Sequence, residues 1–313
     1  MTNQQPIDLD VFCLGHASYD QVFSVAYHPA SDEKLLADDW IGCGGGPAAN
    51  AAVTVSRLGF RAGFGGYLGS DSFGDSHLAE LINHQINCQF IARGPAPTPL
   101  SVVLVKPDGQ RSLVNFKGST EALKANAINF SGIKARCLLF DGHEAALSLA
   151  LLAQYPQTPS VLDAGSLHAG TEALMDKVDY LVCSEKFARQ YAGSPETALA
   201  ALANINAHVV ITLGERGLIW QTATEQGSLS APKIQAIDTT GAGDAFHGAF
   251  AAAIASKRSW QQTLEYASIA GALACTRLGA RPALPDKRQH QSLMEATVFS
   301  ARCTTIQNKP AEN

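Results

Sequence analysis

DTTGAGDAFHGAF, running from Asp238 to Phe250, is the stretch on which the reading of the whole chain turns. It reads as a tight, glycine-punctuated turn that opens directly into a helix of small and apolar residues. Asp238, Thr239 and Thr240 can bond backbone groups of the turn. Gly241 and Gly243 can take dihedrals closed to other residues, so successive N–H groups can point at one spot. A helix beginning there adds unpaired N–H donors and the positive end of its dipole, which together make an anion site. Asp244 places a carboxylate beside that site. If the anion is a phosphoryl group, Asp244 stands where a base takes the proton of an attacking hydroxyl. The same residues would also serve an ordinary loop-to-helix junction with Asp244 as a dipole partner. Taken alone they leave both readings open.

The surrounding 313 residues are 46% hydrophobic and 16% charged with 27 glycines, which describes a compact protein able to bury a sizeable core. A net charge of −5 and a pI near 6.0 lack the basic footprint of a nucleic-acid binder. The seven cysteines (Cys13, Cys43, Cys88, Cys137, Cys183, Cys275 and Cys303) are odd in number, scattered and without a C-x-x-C pair. They fit small buried residues of a reducing compartment rather than a disulfide framework or a zinc site. The start, MTNQQPIDLD, has neither a basic n-region nor an apolar h-region, so no secretory signal is expected. No apolar run approaches the roughly 20 residues that span a bilayer. The expectation is a cytoplasmic protein with no membrane or nucleic-acid partner.

Read in order, Val11 to Gly15 is a first buried strand, and Asp20 lies just past it, where ligands gather in open α/β sheets. Val22 to Tyr27 and Lys34 to Ile41 alternate like half-exposed strands. Glycines 44 to 46 and Pro47 then break the chain before a helix over Ala48 to Leu58, closed by Gly59. Ala62 to Leu68 reads as a strand and Ser76 to His84 as a helix. Leu100 to Lys106 and Arg111 to Lys117 flank Pro107-Asp108-Gly109, a hairpin signal. Strands at Cys137 to Phe140, Val161 to Asp163, Tyr180 to Cys183 and Val209 to Leu213 follow. The first three precede helices near Ala145 to Ala153, Thr171 to Met175 and Glu185 to Tyr191. From Ser259 the pattern predicts two helical stretches, a loop over Thr276 to Asp286, a last helix, and a frayed tail from Gln307. Such alternation predicts an α/β fold: a doubly wound, mainly parallel sheet with helices on both faces. A small β lid, formed by about 21–43 and 98–118, completes one unit over 1–313.

Several motifs are missing. There is no G-x-x-x-x-G-K-[ST] loop, no G-x-G-x-x-G opening a helix after the first strand, no G-x-S-x-G elbow, and no H-x-x-x-H or H-E-x-x-H pair. Gly63, Gly65, Gly66 and Gly69 read as strand-end turns. His247 falls on the same helix face as Asp244 and reads as a residue packed under the site. His143, after the strand end LLFDG, stands where pocket residues collect.

GGGPAANAAVTVSRLG (Gly44 to Gly59) together with DTTGAGDAFHGAF resembles the two signature regions of the ribokinase-like, or PfkB, sugar kinase family. GSDSFGD (Gly69 to Asp75), VITLGERG (Val210 to Gly217) and GARPALP (Gly279 to Pro285) fall in that family's order and spacing, so the likeness runs from about Val11 to Pro285. It implies ATP-dependent phosphorylation of a sugar or nucleoside hydroxyl. By position, Asp244 matches the catalytic base, and Gly241, Ala242 and Gly243 match the anion hole. Asp20, Gly45, Gly46 and Asn50 match residues that bond sugar hydroxyls, and Asn115 a lid position that reaches the substrate. Thr212, Gly214 and Gly217 match the nucleotide loop, Ser184 adjoins it, and Ala280 matches the adenine wall. Asp238 and the loop Thr276 to Pro282 fall where relatives hold a monovalent cation, usually potassium. Mg²⁺ arrives with ATP, and a homodimer through the lid is the expected assembly.

Three departures qualify the resemblance. The family's Asn-x-x-Glu motif is replaced by CSEKFA, with Ser184 and Phe187 at those positions and Glu185 displaced, so the Mg²⁺-organising residues are not identified. Pro47 stands where ribokinase has a lysine. The GGGPAA start, the CSEKFA variant and the CTRLGARPALPD ending look most like the sulfofructose kinase and ketohexokinase branch. His143, however, replaces the arginine that would clamp a sulfonate, and imidazole is the poorer anion clamp. A neutral ketose or pentose is therefore expected. The alternatives are a nucleoside or sulfofructose kinase and, in another class, a non-catalytic sugar- or nucleotide-binding descendant of the fold.

Overall fold

Val11 and Cys13 bury on one side of the first strand and Phe12 and Leu14 on the other. The same division recurs at Cys137/Leu139 against Leu138/Phe140 and at Val182 against Leu181/Cys183. Strands apolar on both faces need cover on both faces, which makes a sheet sandwiched between helices. The computed structural model, which describes residues 7–306, has this architecture. The tail from Gln307, expected to fray, lies outside the described residues.

The chain begins with β1 (Ile7–Leu14), β2 (Ser18–Ser24), β3 (Asp39–Gly45), α1 (Pro47–Arg57), β4 (Ala62–Gly69), α2 (Ser72–Asn83) and β5 (Asn87–Gly94). It continues through β6 (Leu100–Val105), β7 (Arg111–Phe116), β8 (Ile133–Phe140), α3 (Ala145–Gln154), β9 (Ser160–Ala164) and α4 (Ala169–Leu174). Next come β10 (Tyr180–Ser184), α5 (Glu185–Ala192), α6 (Pro195–Leu202), β11 (His208–Thr212), β12 (Leu218–Thr222) and β13 (Glu225–Leu229). Last are α7 (Ala242–Ala255), α8 (Trp260–Ala274), the single turn α9 (Ala280–Ala283), α10 (Lys287–Ala296) and β14 (Ala301–Thr305).

Ten strands form the large sheet in the order β14-β13-β12-β11-β10-β9-β8-β1-β4-β5. It is parallel from β11 to β5 and antiparallel from β11 to β14. From β1 the chain winds one way through β4 to β5 and then the other way from β8. The crevice beyond the ends of β1 and β8 is thus the topological switch point, where open α/β sheets bind ligands. Helices α1, α7 and α8 cover one face, and α3, α5 and α6 the other. Small residues let α7 approach α1 closely: a Cβ on Gly248 would lie 2.6 Å from the Ala51 carbonyl oxygen.

A separate four-stranded sheet, in the order β3-β2-β6-β7, is the lid. Its inner face packs Val22, Val103 and Val105 on Leu278. Its hairpin tip reaches the turn before α7, where Arg111 donates to the Thr240 hydroxyl. The lid strands are displaced from the expected segments: the first begins at Ser18, and the second begins only at Asp39 and continues to Gly45. Residues before Asp39 instead make a polar turn, with the Tyr27 hydroxyl donating to Glu33.

Other boundaries also move. Helix α2 starts at Ser72 because the Asp71 side chain caps it, accepting the Gly74 N–H at 2.8 Å. Gly63, Gly65, Gly66 and Gly69 lie inside β4 rather than in turns. The Phe12 ring takes the space a side chain would need, 2.9 Å from a Cβ on Gly65. After Ser259 one continuous helix, α8, stands where two stretches were expected. Helix α6 and strands β12 to β14 form from segments without a clear period. Among the described residues no helix is long and apolar enough to cross a membrane.

Candidate active site

Gly241 sits at φ 79° as the N-cap of α7, so the turn reverses through a conformation that favours glycine. The same position abuts Ala280, whose Cβ would lie 2.8 Å from a Cβ placed on Gly241. Asp238 is 1% exposed and staples the turn together. Its Oδ1 accepts the Thr240 N–H at 2.9 Å and the Thr240 hydroxyl at 2.6 Å, while Oδ2 accepts the Gly279 N–H at 2.8 Å. The Ala242 N–H is taken by the Thr239 carbonyl at 3.3 Å, so the donors facing the cleft are those of Gly243 and Asp244, in the first turn of a helix whose dipole adds to them. Above Gly243 the cleft is open, the nearest atom to a Cβ there being His247 Nδ1 at 4.0 Å.

Asp244 stands at the floor of this cleft. Desolvation, reinforced by the neighbouring Asp163 carboxylate, pushes its carboxyl up to about 7 against a lowering hydrogen bond from Asn50. That bond runs from Asn50 Nδ2 to Asp244 Oδ2 at 2.7 Å. Asp163, itself pushed up to about 8 by burial, lies 3.2 Å from His247 Nδ1. His247 is 2% exposed and bonds the Gly243 and Val182 carbonyls, so it does pack under the site.

One wall of the cleft is assembled by the lid and the start of α1. Cys43, Asp20, Ser101 and Asn115 form one row across β3, β2, β6 and β7, so they share the inner face. Asp20 accepts the Ser18 hydroxyl at 2.9 Å, and burial pushes its carboxyl up. Gly45 passes so close that a Cβ would lie 2.1 Å from the Asp20 carboxylate. Gly46, at φ 93°, precedes α1 and lies against the His16 carbonyl. Asn115 is exposed at the lid's far edge. His143 follows β8 and forms a stack with His16 and His168, at centroid separations of 4.9 and 5.2 Å. Burial pushes His16 down to about 3 and lowers His168, so both are neutral.

The opposite wall carries Ser184 and Thr212, paired across β10 and β11. The loop beyond Thr212 turns at Gly214 (φ 61°) and Gly217 (φ 89°). Ser184 caps α5, accepting the Phe187 N–H at 3.0 Å and donating to Gly165. Phe187 is buried in the core. Glu185 is drawn sideways by Arg189 at 2.6 Å and by Arg216, which hold its carboxyl below its ordinary range. CSEKFA therefore presents no free carboxylate to a Mg²⁺ ion, and no group of three or more His, Cys, Asp or Glu among the described residues could hold a metal. Three protein donors converge on Asp238, using three of the roughly four acceptor sites of its carboxylate. Ala280, expected as adenine wall, is 3% exposed and packs against Gly241 beside the anion turn.

Sequence reasoning passed over Asp141, Arg281, Glu80 and Asp163. Asp141, the last residue of the apolar run LLFD, ties three loops at the switch point. Its carboxylate accepts the His16 N–H at 2.7 Å, the His143 N–H at 2.9 Å and the Ala48 N–H at 3.2 Å. An acidic residue ending a buried strand was the available signal. Arg281, 2% exposed, donates from Nε to Asn50 Oδ1 at 2.9 Å. Nothing local in GARPALP announces that contact.

Residues 8–287 match the pfkB family carbohydrate kinase description. The chain is 30% identical over 306 residues to probable fructokinase-4 of Arabidopsis thaliana, covering 87% of this chain and 94% of the relative. It is 25% identical over 297 residues to the ribokinase of Haemophilus influenzae, covering 90% of this chain and 97% of the relative. The crystal structure of ribokinase from Thermotoga maritima superposes with a TM-score of 0.81 at 24% identity, over 92% of this chain and 99% of that one, and so shares the fold. This chain belongs to the pfkB family of carbohydrate kinases and is an ATP-dependent sugar kinase.

Proposed function

We propose that the protein transfers the γ-phosphoryl group of ATP to a hydroxyl of a small neutral sugar, a ketose or pentose, with Asp244 as general base. The observation that carries this reading is the placement of Asp244 beside the open N–H groups of α7, in surroundings that push its carboxyl up to about 7. A base working near that value takes a proton readily and gives it up again. Asp20, Gly45, Gly46, Asn50 and Asn115 line the acceptor side, and His143 bounds its distal end. The Gly241–Gly243 turn holds the transferring phosphoryl, chiefly through the Gly243 and Asp244 N–H groups. Ser184, Thr212, Gly214 and Gly217 form the nucleotide wall.

Mg²⁺, carried in on ATP, supplies charge neutralisation on the phosphates when bound. The chain's own residues orient the hydroxyl, receive its proton at Asp244 and exclude water under the lid. Fructokinase and ribokinase relatives support a ketose or pentose, and the neutral His16 and His168 beside His143 favour an uncharged distal end. Trp40, Val114 and Phe116, about half exposed or more on the lid's outer face, support a homodimer formed there. The scattered free cysteines support a reducing, cytoplasmic setting.

ADP release with a panel of neutral ketoses and pentoses, anionic sugars and nucleosides tests the proposal. Turnover highest on a neutral ketose or pentose is expected. Preference for a sulfonated sugar or a purine nucleoside would overturn the substrate assignment.

A further inference from the structure

Arg281 is a buried arginine with an unusual set of neighbours. It is 2% exposed and sits on the short turn α9. That turn is anchored to the phosphoryl site twice, by the Gly279 N–H on Asp238 and by Ala280 against Gly241. Its guanidinium spreads over three partners. Nε donates to Asn50 Oδ1 at 2.9 Å, and Nη2 lies 3.2 Å from His77 Nε2. Among the described residues Nη1 has no hydrogen-bond partner, and it stands 3.5 Å from Glu80 Oε1. Glu80 in turn accepts the Gly44 N–H at 2.7 Å through its other oxygen. Guanidinium can only donate, so His77 Nε2 must accept, and the ring is the neutral tautomer. Burying such a charge is expensive, and a well-packed apolar side chain of similar volume would often serve stability as well or better. The arginine therefore calls for an explanation beyond packing.

The explanation lies in the amide of Asn50. One end of that amide meets a group that only donates, and the other end meets the Asp244 carboxylate. With Oδ1 held by Arg281, Nδ2 faces Asp244 and donates to it at 2.7 Å. Without Arg281 the amide is free to turn over. Its oxygen would then face Asp244, where it favours the protonated carboxyl that cannot act as a base. We infer that Arg281 is a positioning residue for phosphoryl transfer, locking the orientation of Asn50 so that the base always meets a donor. The inference rests on the reading of Asp244 as the base. The groups that face Asp244 are Asn50 from α1, Asp20 from β2, Asp163 from β9 and His247 from α7. Arg281 reaches it only through Asn50.

A double-mutant cycle tests this. Arg281→Met keeps the stem volume and removes the donor, with Arg281→Leu as the substitute in the same cycle should the methionine protein not fold. Either change should lower kcat on the best sugar by ~10- to 100-fold and move the acid limb of the pH profile upward, for loss of a donated bond to a carboxylate. Asn50→Ala should do the same, and the double variant should be no worse than Asn50→Ala alone. Arg281→Lys, which retains charge and donor, should recover turnover to within about threefold of the wild type with its acid limb restored. Effects that multiply in the double variant, or an acid limb that stays put when kcat falls, would overturn the inference. Asp244→Asn in parallel separates the two readings. Retained turnover there removes the base itself, whereas lost turnover with a multiplicative cycle removes only the role of Arg281.

Discussion

The two walls of the cleft are built on different plans. On the side of the lid and α1, polar groups are buried or half-buried and tied to one another: Asp20 to Ser18, Asn50 to Asp244 and Arg281, Glu80 to Gly44, Asp141 to three loops. On the side of β10 and β11, Gly214 and Gly217 turn an open loop, and its charged neighbours Glu185, Arg189 and Arg216 pair at the surface. A buried, interlinked network cannot shift one member without leaving another unpaired, at a cost of about 1–3 kcal/mol for each group. An open loop with surface ion pairs adjusts for far less, since such pairs contribute about 0–1 kcal/mol. If the first wall holds the sugar and the second the nucleotide, as proposed, selectivity should reside in the sugar wall, with the nucleotide wall tolerant.

The largest effect should come from the residue between the two walls. Asp244→Asn should cut kcat by about 10²–10⁴-fold, the usual contribution of a general base, with ATP affinity nearly unchanged. Its pH signature follows from a carboxyl pushed up from 3.8 to about 7. In the wild type kcat/KM should fall tenfold per unit below about pH 7 as the base is protonated, and the asparagine variant should lose that limb. Stability runs the other way. Asp244 and Asp163 hold their protons more tightly when folded, so their contribution is full below pH 3.8 and is lost as the pH rises through about 7 and 8. The melting temperature should therefore decline across that window, and less steeply in Asp244→Asn.

A smaller effect is expected on the sugar wall. Gly45→Ala puts a methyl group 2.1 Å from the Asp20 carboxylate. Overpacking of about 1–3 kcal/mol should raise the sugar KM by ~10-fold or more while leaving the ATP KM alone. Equal changes in both constants would break the comparison. The smallest effect belongs to the nucleotide wall. Glu185→Gln removes two ion pairs whose arginines are each more than half exposed, and the ATP KM should move by no more than about threefold. A loss of turnover above tenfold would show that the carboxylate serves the metal-bound nucleotide after all.

These contrasts follow what was legible in the chain. Gly44 to Asn50 and Asp238 to Asp244 carry their geometry locally, in glycines, a proline and capping side chains only a few residues apart, so the anion turn and the acceptor loop could be read from spacing. The buried network could not. Asn50 meets Arg281 across 231 positions and Asp244 across 194, and Asp141 meets His16 across 125. No local pattern encodes such partners. The parallel core was readable because Val11 to Leu14 and Leu138 to Phe140 are apolar on both faces. Strand β13, EQGSL, is polar with a glycine at its centre and exposed at its first two residues, and so carries no period to find. Helix α2 was shortened because Gly74 and Asp75 resemble a turn until Asp71 is seen to cap them.

Gly248 lies one turn beyond Asp244, and Ala51 immediately follows Asn50. At this glycine α7 runs close to α1: a Cβ there would meet the Ala51 carbonyl oxygen at 2.6 Å and the Thr54 Cβ at 3.0 Å. The spacing of Asp244 and Asn50 is thus gauged like a bearing by the close approach of two helices as well as by the hydrogen bond between the side chains. A single methyl group at this seam would act as a shim under Asp244, shifting it against Asn50 while leaving every hydrogen-bonding atom of the site in the chain. That distance is inherited in part from the packing of small residues, which is a reason for a helix rich in alanine and glycine to run beneath so polar a cleft.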